Sequence, residues 1–285
     1  MSDTSHFPLP PELPGEADQS KCGMKTEDGK ETDPGYGVFP IIRNDSNGRT
    51  DLLGTGFFIT TTGLFVTARH VLMAPFDDKG RERFGIGMIQ HLPENKYLFR
   101  PILRCTSHYV SDVTVGVAAP MQCNHDGLPL KNPVFTLDTD IPVPGTRSIT
   151  YAYPRYSRDV VGEIQRIHFA PRFYNGEIQE YFPSGRDRVL LPGRCYRTSM
   201  LLHAGASGGP VFSPNGLVFG VNSTGYDGTD VSFVSSVTDI FDLLIDDVQL
   251  GNEAPRSVRI RELIAAGHIL VKSSSENRAV ASTTT

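Results

Sequence analysis

The chain has 285 residues, 39% of them apolar and 9% aromatic, enough to bury a core in one large domain or two small ones. Its 27 Lys and Arg stand against 32 Asp and Glu, a formal charge of −5, and the excess lies in residues 1–35, where eight acids face three lysines and leave the rest balanced at 24 against 24. A neutral body without a run of Lys or Arg gives no electrostatic basis for binding DNA or RNA.

In chain order, residues 1–35 are rich in Pro, Gly, Asp and Glu and are expected to form a disordered acidic arm. The opening "MSDTSHFPLPPELPGEADQS" has neither a basic start nor an apolar run, so it does not read as a signal peptide. No later stretch reaches the ~20 apolar residues that span a bilayer. A cytoplasmic protein without membrane contact is the expectation. Cys22, Cys105, Cys123 and Cys195 form no Cys-x-x-Cys pair and are expected as free thiols.

Order is expected from "YGVFPII" onward, with strand signals at "GTGFFIT", "GLFVTA", "FGIGMIQ", "YLFRPILRC" and "VTVGVAA", and a hairpin turn at "TTG". These make a first barrel over residues 36–122. The proline-rich stretch at 123–144 reads as a linker. A second strand series, "TRSITYAY", "VGEIQRIHFA", "EIQEYF", "CYRTSM", "PVFSP", "LVFGVNS" and "VSFVSS", fills 145–236. Two groups of about six short strands predict an all-β fold of two six-stranded antiparallel barrels, because closure removes exposed edges. Residues 237–272 read as a helical extension. In "SVTDIFDLLIDDVQL", Ile240, Leu243, Leu244 and Val248 fall on one side of a helix, and "APRSVRIRELIAAGHIL" predicts a second short helix ended by Gly267. The tail 273–285 has no periodicity and is expected to be disordered.

The stretch that demands a chemical reason is "LLHAGASGGPVFSPNGLVFGVNSTG", residues 201–225, where Gly205, Gly208 and Gly209 crowd one Ser207. Glycine loses more backbone entropy on folding than any other residue, so a cluster marks positive φ or close backbone approach. A serine nucleophile needs a base, and the base needs an orienting group. Of eight histidines, His6 lies in the arm and His125 in the linker, whereas His70 directly follows a strand and precedes apolar Val71 and Leu72. His203, four residues before Ser207, is the competing base. Asp112 opens an apolar strand, where a carboxylate is costly to bury unless it accepts hydrogen bonds; Asp239 is a weaker rival.

Taken together, "GTGFFITTTGLFVTARHVL", "SDVTVGVAA" and "GASGGPVFSPNGLVFGVNSTG" resemble the three catalytic blocks of the trypsin-like, chymotrypsin-fold serine peptidases, in the order His, Asp, Ser. The resemblance covers about residues 36–246. It implies His70 as general base, Asp112 as the group that sets its tautomer and Ser207 as nucleophile. It also implies an oxyanion hole from the N–H groups of Gly205 and Ser207, a substrate-pairing edge at Ser223, Thr224 and Gly225, and Leu201 at the base of the P1 pocket, with His203 and Asn222 as polar wall. Ala206 stands where secreted members carry the aspartate that receives a new N-terminus, and Arg69 and Val71 flank His70 where a cysteine is common. Those departures imply a bacterial or intracellular type without activation by N-terminal insertion.

The expected activity is serine endopeptidase, with apolar or small P1 side chains because Leu201 offers a charge no partner. A catalytically silent peptide-binding protein of the same fold and an esterase with the same triad remain the alternatives. The chemistry requires no cofactor and no metal. Polypeptide substrate is the expected partner, with a regulatory protein as a further one through the N-terminal arm or the C-terminal extension.

Overall fold

The computed structural model describes residues 24–26, 29–45, 49–73, 85–121, 129–161, 164–225, 231–249 and 254–272. The acidic arm up to residue 23, the tail 273–285, Cys22 and Cys123 lie outside the described residues. Strands in chain order are β1 (Met24–Lys25), β2 (Val38–Asn44), β3 (Thr50–Phe58), β4 (Leu64–Thr67), β5 (Ile86–Leu92), β6 (Lys96–Ser107), β7 (Thr114–Ala118), β8 (Val134–Phe135) and β9 (Leu137–Asp138). They continue with β10 (Arg147–Val161), β11 (Ile164–Phe182), β12 (Cys195–Thr198), β13 (Pro210–Phe212), β14 (Val218–Gly225), β15 (Ser232–Ser236), β16 (Leu244–Val248), β17 (Arg256–Arg259) and β18 (Val271–Lys272). Two short α-helices are α1 (Arg69–Met73) and α2 (Ile260–Ala265).

Strands β2, β3, β4, β7, β6 and β5 close into one six-stranded barrel. Strands β13, β10, β11, β12, β15 and β14 form the second, which the β13–β14 pairing closes, with β9 and β18 added beside β14. Both barrels are antiparallel, as the strand spacing predicts. The first is filled by Phe39, Ile41, Phe58, Phe65 and Met88, the second by Tyr174, Ile178, Tyr196, Met200 and Val234. A third apolar cluster, including Val66, Val115, Phe135, Phe212 and Val221, draws residues from both. Strand β4 shows how: Phe65 points into its own barrel while Leu64 and Val66 join the shared cluster, so "LFVT" is buried on both faces and does not alternate.

The structure differs from the sequence reading in several elements. "VGEIQRIHFA" and "EIQEYF" are one strand, β11, whose pairing with β10 runs from Arg147↔Glu177 to Val161↔Ile164 as a long hairpin. Order begins before Tyr36: Met24 is fully buried, and β1 pairs with β8. The stretch read as a linker supplies buried Phe135 and Leu137. The long C-terminal helix is not formed. Instead, a 3-10 turn (Val237–Ile240) leads into β16, which pairs with β17. Leu243 and Ile245 are buried while Leu244 is 44% exposed, a two-residue period set by the β17 partner rather than by helix spacing. The second helix is α2, followed by Gly267 at φ +77.

Val258, Ile260, Leu263 and Ile269 are all buried in the shared cluster, which makes residues 256–272 part of the core. Among the described residues no helix is long and apolar enough to cross a membrane, and no cluster of His, Cys, Asp and Glu is arranged to hold a metal ion. Cys105 and Cys195 are free thiols.

Candidate functional site

His70 sits in the first turn of α1, immediately after β4. Buried Val71 and Leu72 anchor the helix in the first barrel and leave the imidazole 51% exposed. Asp112 lies in the connection from β6 to β7, its side chain 14% exposed. One carboxylate oxygen accepts from the His70 backbone N–H at 3.0 Å; the other lies 2.8 Å from His70 Nδ1 and accepts from the Ser223 hydroxyl at 2.5 Å. Burial pushes the Asp112 carboxyl up, but the His70 ring, its charge and the Ser223 hydroxyl outweigh that and hold it below the ordinary carboxylate value. The pairing commits Nδ1 and turns the ring's other nitrogen outward.

Ser207 comes from the second barrel, between β12 and β13. Two tight turns carry it: His203 O accepts from Ala206 N at 3.0 Å, and Ala206 O accepts from Gly209 N at 3.1 Å. The third residue of each turn, Gly205 and Gly208, has φ +89, the left-handed region a type II turn requires there. Space is a second constraint. A Cβ on Gly208 would stand 2.1 Å from Thr55 O and Thr67 Oγ1, and one on Gly205 would stand 2.6 Å from Tyr153 O.

The two halves meet through Thr55 of β3, whose N–H donates to Ser207 O at 2.8 Å and whose hydroxyl donates to Gly205 O at 2.8 Å. Ser207 Oγ itself donates to Ser223 O at 2.9 Å. Ser223 therefore links Asp112, through its hydroxyl, to Ser207, through its carbonyl. His70, Asp112, Ser207 and Ser223 form one cluster across the barrel interface.

The remaining sequence-nominated residues divide. Thr224 is half-buried and Gly225 exposed at the end of β14, beside the serine. Leu201 is 38% exposed, and His203 packs on Tyr174, its Nδ1 3.3 Å from the Tyr174 hydroxyl. Asn222 is not in a pocket wall. It is fully buried behind the serine loop, where its side-chain amide donates to Thr150 Oγ1 at 2.7 Å and to Ala206 O at 3.2 Å. Among the described residues Asp239 is bonded to no histidine; it binds Arg194 and Ser111. Of the other histidines, His91 stacks on Tyr97 and His168 faces Asp159, while His6 and His125 lie outside the described residues. Thr55 and the Ser223 hydroxyl were not found from the sequence. Nothing in "GTGFF" distinguishes Thr55 from any strand threonine, and Ser223 was read for its backbone alone.

Residues 54–221 match the family described as "Trypsin-like peptidase domain". No curated protein matches the chain significantly. Among solved structures, Deg5 superposes with a TM-score of 0.50 at 17% identity, covering 71% of this chain and 84% of that one. The active form of the Rv3671c protease from M. tuberculosis gives 0.48 at 16% identity, over 73% and 78%. The HtrA-type protease AlgW with tripeptide gives 0.47 at 17%, over 72% and 57%. At 17% identity the likeness to Deg5 is one of fold, but the family match spans more than half of the chain and includes His70, Asp112 and Ser207. The chain belongs to the trypsin-like peptidase domain family.

Proposed function

We propose that the protein is a serine endopeptidase in which Ser207 is the nucleophile, His70 the general base and Asp112 the group that fixes the base. The observation that carries the reading is the Asp112 carboxylate, which holds His70 Nδ1 at 2.8 Å in the same cluster as the glycine-bound Ser207. With Nδ1 committed, Nε2 takes the Ser207 proton as Oγ attacks the peptide carbonyl, and returns it to the leaving amine. Water activated by the same Nε2 then hydrolyses the acyl-enzyme. Among the described residues the N–H groups of Gly205 and Ser207 have no protein acceptor, which supports them as the donors to the developing oxyanion. Loss of one such donor typically costs ~3 kcal/mol of transition-state stabilisation. Ser223, Thr224 and Gly225 end β14 beside Ser207, where a substrate backbone would add as a further strand.

The test is labelling by a serine-directed fluorophosphonate. The wild type should react and Ser207→Ala should not; a folded wild type that is never labelled would favour a silent peptide-binding role. Relative turnover of a peptide amide and a simple ester separates the endopeptidase from an esterase.

For the P1 residue we propose apolar or small side chains. Leu201 supplies no charge to pair with a Lys or Arg side chain. A peptide library read by mass spectrometry should show cleavage after small or aliphatic residues. Dominant cleavage after Lys or Arg would sink this assignment.

A further inference from the structure

The connection that carries Asp112, residues 108–113, is held from both barrels. Within the first barrel, His108 N donates to Val113 O at 2.9 Å, His108 Nδ1 accepts from Ser111 N at 2.8 Å, and Arg69 donates to the carbonyls of His108 and Tyr109, each at 3.2 Å. From the second barrel, the Ser223 hydroxyl reaches Asp112 itself, and a further side chain holds the residue beside it. Ser111, fully buried beside Asp112, donates its hydroxyl to Asp239 Oδ2. Asp239 stands on the 3-10 turn after β15, also buried, and its Oδ1 accepts from Arg194 Nε at 2.6 Å and from the same guanidinium's Nη2. Both carboxylate oxygens are thus engaged. The backbone before β12 is pressed against the same spot: a Cβ on Gly193 would stand 1.9 Å from Ser111 Oγ.

We infer that Asp239, clamped by Arg194, is a positioning residue that holds Ser111 and so fixes the peptide segment on which Asp112 faces His70. A buried hydroxyl and a buried carboxylate oxygen that satisfy one another leave little freedom to the neighbouring Asp112, because release would leave the Ser111 hydroxyl and Asp239 Oδ2 unpaired while Arg194 keeps only Oδ1. The effect on catalysis follows from geometry. A misplacement of ~1 Å in such a constellation costs on the order of 100-fold in rate. The clamp also makes the His70–Asp112 pair dependent on docking of the two barrels, although both residues belong to the first.

The activity arm of the test rests on the serine endopeptidase reading; the spectroscopic arm does not. Ser111→Ala removes the link and leaves the Arg194–Asp239 pair intact. With the active fraction counted by fluorophosphonate titration, it should lower kcat roughly tenfold at unchanged KM, a part of the full misplacement cost. Its low-field proton resonance from His70 Nδ1–H, which requires a fixed bond to Asp112, should broaden or move upfield. Asp239→Asn keeps a polar partner for Ser111 and should retain most of the wild-type kcat and the resonance, whereas Asp239→Ala should match Ser111→Ala. Unchanged kcat and resonance in folded Ser111→Ala, or a change confined to KM, would overturn the inference. A wild type that shows the resonance but takes no label defeats the endopeptidase reading alone, and the Ser111→Ala resonance then decides the clamp.

Discussion

Asp112 shows how far a single residue was legible. Its position before an apolar strand singled it out as a carboxylate that needs partners, and it has three: the His70 ring, the His70 N–H and the Ser223 hydroxyl. Those partners hold its folded-state pKa below the ordinary 3.8 in spite of burial. A carboxyl depressed on folding adds stability above its unfolded pKa, and the contribution is lost as pH falls through the folded value. The stability difference between wild type and Asp112→Asn should therefore be full near neutrality and shrink below about pH 4, as urea unfolding over a pH series would show. In the same variant kcat should fall by ~10⁴, because the amide no longer enforces the tautomer that leaves Nε2 basic. A flat stability difference from neutral to acid pH would count against the pairing. Asn222 shows the opposite limit. A strand residue one step from the substrate edge looks no different in sequence whether it faces the pocket or the interior, and the register of β14 against Gly208 and Gly209 puts it inside.

At the scale of elements, legibility followed how local the determining contact is. The β3–β4 hairpin, the barrel strands and α2 rest on turn residues and period within a few positions, and the sequence shows them. The stretch 237–248 has apolar residues that satisfy a helix and a strand about equally. What decides is β17, and its pairing Ile245↔Val258 depends on residues thirteen places on. Likewise, the merger of two expected strands into β11 is set by β10 opposite, which bridges the interruption around Ala170 and Pro171. Helix α2 carries the energetic weight of the C-terminal segment: Leu263 is fully buried in the shared cluster with Val258, Ile260 and Ile269. Leu263→Ala should cost ~2–5 kcal/mol of unfolding free energy by removing that packing and leaving a cavity. Chemical denaturation measures it, and a change under ~0.5 kcal/mol, the size of a surface substitution, would show that the segment is an appendage.

Across the whole molecule, the candidate site belongs to neither barrel. His70 and Asp112 come from one, Ser207 and Ser223 from the other, and Thr55 and the Ser111–Asp239 contact stitch them together. The apolar cluster between the barrels is completed by the last described segment, with Ile269 buried and Val271 paired to Leu137. This arrangement imposes an order in time. During synthesis, Ser207 is made well before Leu263 and Ile269, so a nascent chain still lacking those residues carries the candidate site residues without two members of the apolar cluster between the barrels. Alignment of the candidate site thus draws on apolar residues more than fifty positions beyond Ser207.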